Sequence, residues 1–201
     1  MRFFAVLFLA AFCCMSSPAF VAAQEGDYDE YEPTFDMGDQ MIIISGGLFA
    51  PLFYQSLAGD INSTRLTVGG VGSLQWSTYL NNNMSVGAEG GGMFAFTPNG
   101  RNLFMVPVTA RFSYVLRKHP FDFPLSLAAG LNFVRLDSTF RVMPIIKPGI
   151  SGFWSYNSSW SFGLNLVYWW VPDIYMGPSP PREQSRLGNF LEVSLSARYY
   201  F

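Results

Sequence analysis

Side chains that could carry out acid–base or nucleophilic chemistry are scarce in this sequence of 201 residues. The single histidine, His119, stands beside Pro120 in a polar stretch typical of a turn, and the two cysteines, Cys13 and Cys14, lie near the apolar start. Serine hydrolases depend on a histidine base, so we interpret His119 as a turn residue and predict that the chain is not an enzyme. The run Gly90–Gly92 lacks the context of a phosphate loop, and no metal-ligand spacing occurs. We therefore predict no cofactor.

Five charged residues stand in rows of otherwise small and polar side chains, and they are the candidate functional residues. They are Glu89, Arg111, Lys147, Glu192 and Arg198. An isolated charge is costly in a narrow protein interior, so each is expected to have a partner. Glu89 and Arg111 lie on neighbouring extended segments at similar distances from the turns, and we predict that they pair. Two interpretations follow: a salt-bridge network that fills an interior, or a polar pathway or gate.

The segments that carry these charges alternate between apolar and polar residues. In Phe190–Phe201 one row is wholly apolar and the other contains Glu192, Ser194, Ser196 and Arg198. A period of two predicts a β-strand with unlike faces. We expect lipid, outside the chain, to cover the apolar row.

Eight such segments follow one another along the chain. They are Met41–Pro51, Leu66–Leu80, Ser85–Phe96, Phe104–Tyr114, Phe123–Phe133, Ile145–Tyr156, Trp160–Trp170 and Phe190–Phe201. Each has the length of a tilted strand that spans a bilayer, and every second connection is short (Asn81–Asn83, Arg117–Asp122 and Asn157–Ser159). The facing of the first segment is ambiguous, and Pro107 in the fourth predicts a bulge or irregularity. The pattern predicts an all-β fold, an eight-stranded antiparallel up-and-down transmembrane β-barrel over residues 40–201.

A soluble eight-stranded barrel with apolar residues inside is the alternative, because periodicity alone does not distinguish inward from outward. The polar rows hold mostly Gly, Ser, Thr and Asn, which solvate an exterior poorly but suit a narrow interior. Aromatic residues also concentrate at both strand ends, as a bilayer interface selects. The turn-end set is Trp76, Tyr114, Phe123, Trp154, Tyr156, Trp160, Tyr199 and Phe201, and the loop-end set is Phe94, Phe96, Phe104, Phe133, Tyr168 and Trp170. These observations favour the membrane barrel.

The first 23 residues have the features of a signal peptide that is removed on export. Arg2 precedes an apolar stretch, and cleavage is expected after Ala23, which would remove both cysteines. Lipoprotein cleavage before Cys13 is the alternative, but Phe12 stands where that signal has a small residue. Residues 24–39 carry seven acidic and no basic side chains. They are predicted to be a flexible periplasmic tail, with a binding arm for a basic partner or a cation as the alternative.

The alternating segments, the uneven connections and the terminal Tyr199-Tyr200-Phe201 resemble the small eight-stranded outer-membrane proteins of the OmpW, OmpX and OmpA-barrel group. The resemblance implies a place in the bacterial outer membrane, surrounded by outer-membrane lipid. It also implies that the barrel assembly machinery recognises the last strand through an assembly signal. The matching residues are Leu195, Ala197, Tyr199 and Phe201.

Two functions remain open from the sequence. The OmpW-like part of the resemblance implies a narrow or passive channel for small, possibly hydrophobic molecules. The alternative is a non-conducting surface interaction, adhesion or structural protein, in which Pro51–Thr64 and Pro172–Asn189 are surface-exposed loops that meet host surface factors. Basic residues are scattered along the chain, so nucleic acid is not a predicted partner.

Overall fold

The structure, a computed structural model, describes residues 34–56, 59–64, 66–96, 102–136, 139–173 and 186–201. Among these residues, one antiparallel sheet joins the long strands in chain order, and the last strand pairs with the first. The strands are β1 (Gln40–Ser56), β2 (Ile61–Ser63), β3 (Gly69–Asn81), β4 (Met84–Phe96), β5 (Asn102–Lys118), β6 (Phe121–Leu136), β7 (Thr139–Ser155), β8 (Trp160–Asp173) and β9 (Arg186–Tyr200). Strand β2 pairs with the far end of β1, so β1 and β3–β9 make the closed wall. The predicted eight-stranded transmembrane β-barrel is confirmed.

The two ends of the barrel differ in their connections. At one end, the turn end, β3–β4, β5–β6 and β7–β8 are joined by short turns, and the opposite end is the loop end. The predicted turn Arg117–Asp122 is too long, because Arg117 pairs with Asp122 in the β5–β6 ladder and only His119-Pro120, with a cis peptide bond, forms the turn. No helix in the described part of the chain has the length and hydropathy that a bilayer crossing requires.

Several strands extend further toward the loop end than the sequence predicts. Strand β1 continues past Pro51 through a register shift, and its extension forms a hairpin with β2 where the sequence predicted a loop. Strand β7 begins at Thr139 and β9 at Arg186. Lipid selects an apolar outer row only within the membrane, so the period-two signal weakens beyond it. Pro107 causes no register shift: pairing of β4 with β5 resumes in the same register on either side of it.

The polar rows face the interior and the apolar rows face outward, which rules out the soluble alternative. Gln75, Ser151 and Asn165 are buried, whereas Leu74 and Leu164 on the same strands are exposed. On β1, whose facing the sequence left open, Met41 and Ile43 point inward and Ile44 outward. The turn-end aromatic set is exposed throughout.

The interior consists of three layers along the barrel axis. A loop-end apolar layer contains Phe49, Met93, Met105, Ile145, Trp169 and Phe190 among others. A turn-end apolar layer contains Phe35, Met41, Ile43, Tyr79 and Phe153, with Tyr200 packed against it. Inward positions between them on β7 and β9 are occupied by Lys147, Ser151, Glu192, Ser194 and Ser196, which belong to a polar layer. The charged candidates are therefore enclosed from both sides.

Candidate functional site

Glu89 is the centre of an ion-pair network in the polar layer. Its Oε2 lies 2.8 Å from Nη2 of Arg111 on the neighbouring strand β5, so the predicted pair is present. Its Oε1 accepts a hydrogen bond from Lys147 Nζ, which reaches across from β7. One carboxylate thus binds a cation on its neighbouring strand and a second cation on the facing wall.

Lys147 connects this pair to a second carboxylate. Its Nζ lies 3.8 Å from Glu192 Oε2 and 4.2 Å from the centroid of the Trp169 ring. Trp169 Nε1 donates to Glu192 Oε2 at 2.8 Å, and Ser194 Oγ donates to Oε1 at 2.9 Å. The network formed by Glu89, Arg111, Lys147 and Glu192 has two positive and two negative charges, so its charges balance. Buried ions of opposite sign with satisfied hydrogen bonds offset much of their desolvation cost.

Arg198, the fifth candidate residue, is also buried in the interior and paired, but with a different partner from the other four. It lies nearer the turn end and donates from Nη2 to Asp122 Oδ2 at 2.6 Å. Its guanidinium stands 4.2 Å from the centroid of Phe153. Arg117 approaches the same Asp122 oxygen at 3.8 Å. Asp122 was missed because it was assigned to a turn, although it shares the inward row of Ser126 on β6.

Neutral side chains fill the rest of the polar layer. Ser45 and Ser196 hydroxyls are 2.7 Å apart across the β1–β9 seam. Asn165 on β8 donates to Ser194 at 3.2 Å and also to Ser196. A cavity that these side chains help to line has a volume of about 20 Å³, which is room for about one or two water-sized groups.

Residues 34–39, here called the turn-end cap, close the turn end. Phe35 is buried, and its ring stacks on that of Tyr79 with the centroids 4.5 Å apart. The Tyr200 ring is tilted against it at 4.7 Å, and the Arg117 guanidinium lies 4.3 Å from the Phe35 centroid. The backbone N–H of Phe35 donates to Asn82 Oδ1 at 3.0 Å. The predicted flexible tail 24–39 is therefore too long at its C-terminal end. Residues 34–39 are held against the barrel because the Phe35 ring packs against two tyrosine rings and the Arg117 guanidinium. Residues 24–33 and the predicted signal peptide 1–23 lie outside the described residues.

The predicted assembly signal lies on the outer surface near the turn end of β9. Leu195, Tyr199 and Phe201 are exposed, and Ala197 is half-buried. The Tyr199 ring lies 4.9 Å from that of Trp160 and 6.2 Å from that of Phe201. His119 is exposed in the β5–β6 turn, and within the described ranges no group of His, Cys, Asp and Glu has a metal-binding arrangement.

Fold and interior together define an outer-membrane-type β-barrel with a charged, filled core. The barrel resembles Neisserial surface protein A with a TM-score of 0.60, over 85% of this chain and 100% of that one, at 12% identity. A family model matches residues 23–199, so the chain belongs to the family that this model describes.

Two relatives are similar in sequence over most of the chain. An uncharacterised protein of Borreliella burgdorferi is 25% identical, over 73% of this chain and 76% of that protein. An uncharacterised protein of Treponema pallidum is also 25% identical, over 68% of this chain. That match spans 61% of the Treponema protein, less than two thirds of its length.

Proposed function

We propose that this chain is a non-conducting outer-membrane barrel that holds interaction surfaces at its loop end. The observation that carries the proposal is the filled interior, in which the network of Glu89, Arg111, Lys147 and Glu192 lies between two apolar layers. Of the two functions that the sequence leaves open, this geometry favours the surface or structural role over the channel.

The energetic cost of opening supports a closed barrel. A conducting state has to separate Lys147 from Glu89 and Glu192, and breaking a buried ion pair costs about 3–5 kcal/mol. A cost of that size keeps the open state below roughly 1% of molecules. A small hydrophobic solute faces a further barrier, because it would have to displace charged groups without replacing their contacts.

The residues on the outer surface of the barrel support a location in the outer membrane. Exposed apolar residues lie between aromatic residues at both barrel ends, the arrangement that a bilayer stabilises. At the loop end, Ile61 of the β1–β2 hairpin and Phe140 at the start of β7 are exposed. We infer that this end faces the outside of the cell and meets the binding partner, for which host surface factors remain the proposed class.

Planar-bilayer recordings test the closed barrel. Folded wild-type protein, with insertion verified by its heat-modifiable migration, is expected to give no current steps above the bare bilayer, while a general porin in the same set-up conducts. Glu89→Ala should stay equally silent, because the two apolar layers remain. Discrete wild-type conductance steps, or uptake of a small hydrophobic solute into liposomes, would contradict the proposal and restore the channel.

The orientation has a separate test with single-cysteine variants. Asn62 lies on the exposed strand β2 at the loop end, and Ser158 is exposed in the turn between β7 and β8 at the turn end. The variants are Asn62→Cys and Ser158→Cys. In intact cells a membrane-impermeant maleimide should label Asn62→Cys and leave Ser158→Cys unlabelled until the outer membrane is permeabilised. Wild-type protein gives the background labelling, including any label on Cys13 and Cys14. The reverse labelling pattern would place the turn end outside.

A further inference from the structure

The seam between β1 and β9 differs from the other strand junctions of the barrel wall. The strands β1 and β3 to β9 are otherwise paired in chain order, so a turn or a loop joins the two members of each pair at one end. Strands β1 and β9 are the first and last of the described strands, and they pair without a segment of chain that connects them directly. Closure of the barrel therefore depends on contacts across this seam.

The turn-end cap bridges the seam at the turn end. Phe35 packs on Tyr200, the last residue of β9, with the ring centroids 4.7 Å apart, and stacks on Tyr79 of β3 at 4.5 Å. Strand β1 lies between β3 and β9 in the sheet, so these two rings come from either side of it. Next to the cap, Gln40 and Phe201 exchange backbone hydrogen bonds of 3.1 and 3.3 Å. The cap thus lies where a covalent turn joins the strands at the β3–β4, β5–β6 and β7–β8 junctions.

The backbone of the cap has a defined turn of its own. The Asp36 N–H donates to Asp39 Oδ2 at 2.9 Å, and the Gly38 N–H donates to the Tyr79 carbonyl at 3.0 Å. Gly38 has a φ of 104°, a left-handed conformation that favours glycine. A methyl group added at Gly38 would meet nothing within 4 Å, so the turn, and not packing, requires glycine here. This turn places Phe35 in the turn-end apolar layer.

The pocket that receives Phe35 is complete only when the barrel is closed. Tyr79 on β3 and Arg117 on β5 reach it through the strands that follow β1 in the sheet, whereas Tyr200 reaches it only through the pairing of β9 with β1. Contacts between the two ends of a chain form late, because the entropy of the long loop between them has to be lost first.

We propose that the turn-end cap is a latch for the closed barrel. Phe35 docks between Tyr79 and Tyr200 after β9 has paired with β1, and the docked ring slows reopening of the seam. A contact made only after the rate-limiting step of folding raises the barrier to unfolding and leaves the folding rate unchanged. The latch concerns closure of the wall, so it does not depend on whether the barrel conducts or on what its loop end binds.

Unfolding and refolding rates in lipid vesicles test the latch, with heat-modifiable migration as the measure of the closed barrel. Phe35→Ala and Tyr200→Ala should each unfold about tenfold faster than wild type and refold within about twofold of its rate. The double variant should unfold more slowly than the product of the two single effects predicts, because both substitutions remove the same contact. Met37→Ala is the control, since that side chain is 78% exposed in the same cap.

A pair of glycine variants tests the cap without removing either ring. Gly38→Ala should unfold roughly fivefold faster or more, because a left-handed conformation is strained for alanine. Gly46 on β1 also has nothing within 4 Å of an added methyl group, and its φ is not positive. Gly46→Ala is therefore the matched control and should change neither rate by more than about twofold.

Faster unfolding of the Phe35, Tyr200 and Gly38 variants with wild-type refolding rates supports the latch. Slower refolding of Phe35→Ala would show that the cap docks before the barrel closes and would overturn the proposed order. Wild-type unfolding rates in all three variants would mean that the cap does not hold the seam. Fully multiplicative effects of Phe35→Ala and Tyr200→Ala would contradict a shared contact across it.

Discussion

Lys147 on β7 and Glu89 on β4 form an ion pair across the barrel interior, with both side chains almost fully buried. Two strands, β5 and β6, separate them along the wall, so the contact exists only because the barrel is narrow. The same lysine approaches Glu192 at 3.8 Å. Lys147 therefore links two sides of the barrel wall, and its removal should affect the contacts of both Glu89 and Glu192.

Lys147→Met is expected to lower the free energy of unfolding by about 3–5 kcal/mol, because it leaves the two buried carboxylates with one cation fewer. Glu192→Gln unbalances the network in the opposite sense. The double variant Lys147→Met/Glu192→Gln restores electrical balance, since Arg111 and Glu89 still pair, and should be more stable than the sum of the single losses by about 0.5–3 kcal/mol. Urea unfolding in lipid vesicles, followed by tryptophan fluorescence, measures all three; strictly additive losses would mean that Lys147 and Glu192 do not interact.

Burial determines how much an Arg–Asp ion pair contributes to stability. Two such pairs in this chain, Arg198–Asp122 and Arg141–Asp173, differ in burial and can be compared. Asp122→Asn removes the charge opposite Arg198, which is 1% exposed, and should cost about 3–5 kcal/mol. Asp173→Asn removes the charge opposite Arg141, whose side chain is 55% exposed, and should cost less than about 1 kcal/mol. Equal shifts in the unfolding midpoints of these two variants would show that the turn-end pair is solvated.

Phe35 is expected to hold the turn-end cap in place. Phe35→Ala should cost roughly 1.5–3 kcal/mol, the value of burying a large apolar side chain, and should speed cleavage of the N-terminal segment by proteinase K. Met37→Ala, in the same segment at 78% exposure, is the control and should change stability by less than about 0.5 kcal/mol. The cap would have no structural role if both variants were cleaved at the wild-type rate.

The sequence predicts the strands of the barrel wall and the facing of their side chains better than the side-chain contacts inside the barrel. Where a strand crosses the polar layer, it meets lipid on one side and small polar side chains on the other, so alternation alone gives the correct facing of residues such as Gln75 and Leu74. The diagonal pair Glu89 and Arg111 follows from the pairing of neighbouring strands. The contact of Lys147 with Glu89 depends on strand tilt and stagger around the closed barrel, which no local pattern contains.

The sequence-based assignments of Asp122 and Phe35 were wrong for different physical reasons. Asp122 was assigned to a turn because it follows a polar, proline-containing stretch, yet its inward row shows that β6 already includes it. Phe35 was assigned to a flexible tail because seven acidic residues between 24 and 39 outweigh one aromatic side chain in any compositional argument. Its pocket is assembled by Tyr79, Tyr200 and Arg117 from three strands, and composition does not contain that information.

Phe201 allows assembly in cells to be separated from intrinsic folding. Its side chain is 59% exposed at the turn end of the outer surface, and its backbone, which any residue supplies, exchanges hydrogen bonds with Gln40 at 3.1 and 3.3 Å. Phe201→Ser should therefore refold in detergent with nearly the wild-type midpoint, because it removes little buried area. In cells, the resemblance to barrels with a terminal aromatic signal predicts several-fold less heat-modifiable protein in the outer membrane. Phe201→Tyr keeps the aromatic ring and should restore the yield, whereas wild-type yield from Phe201→Ser would show that the assembly machinery does not need this side chain.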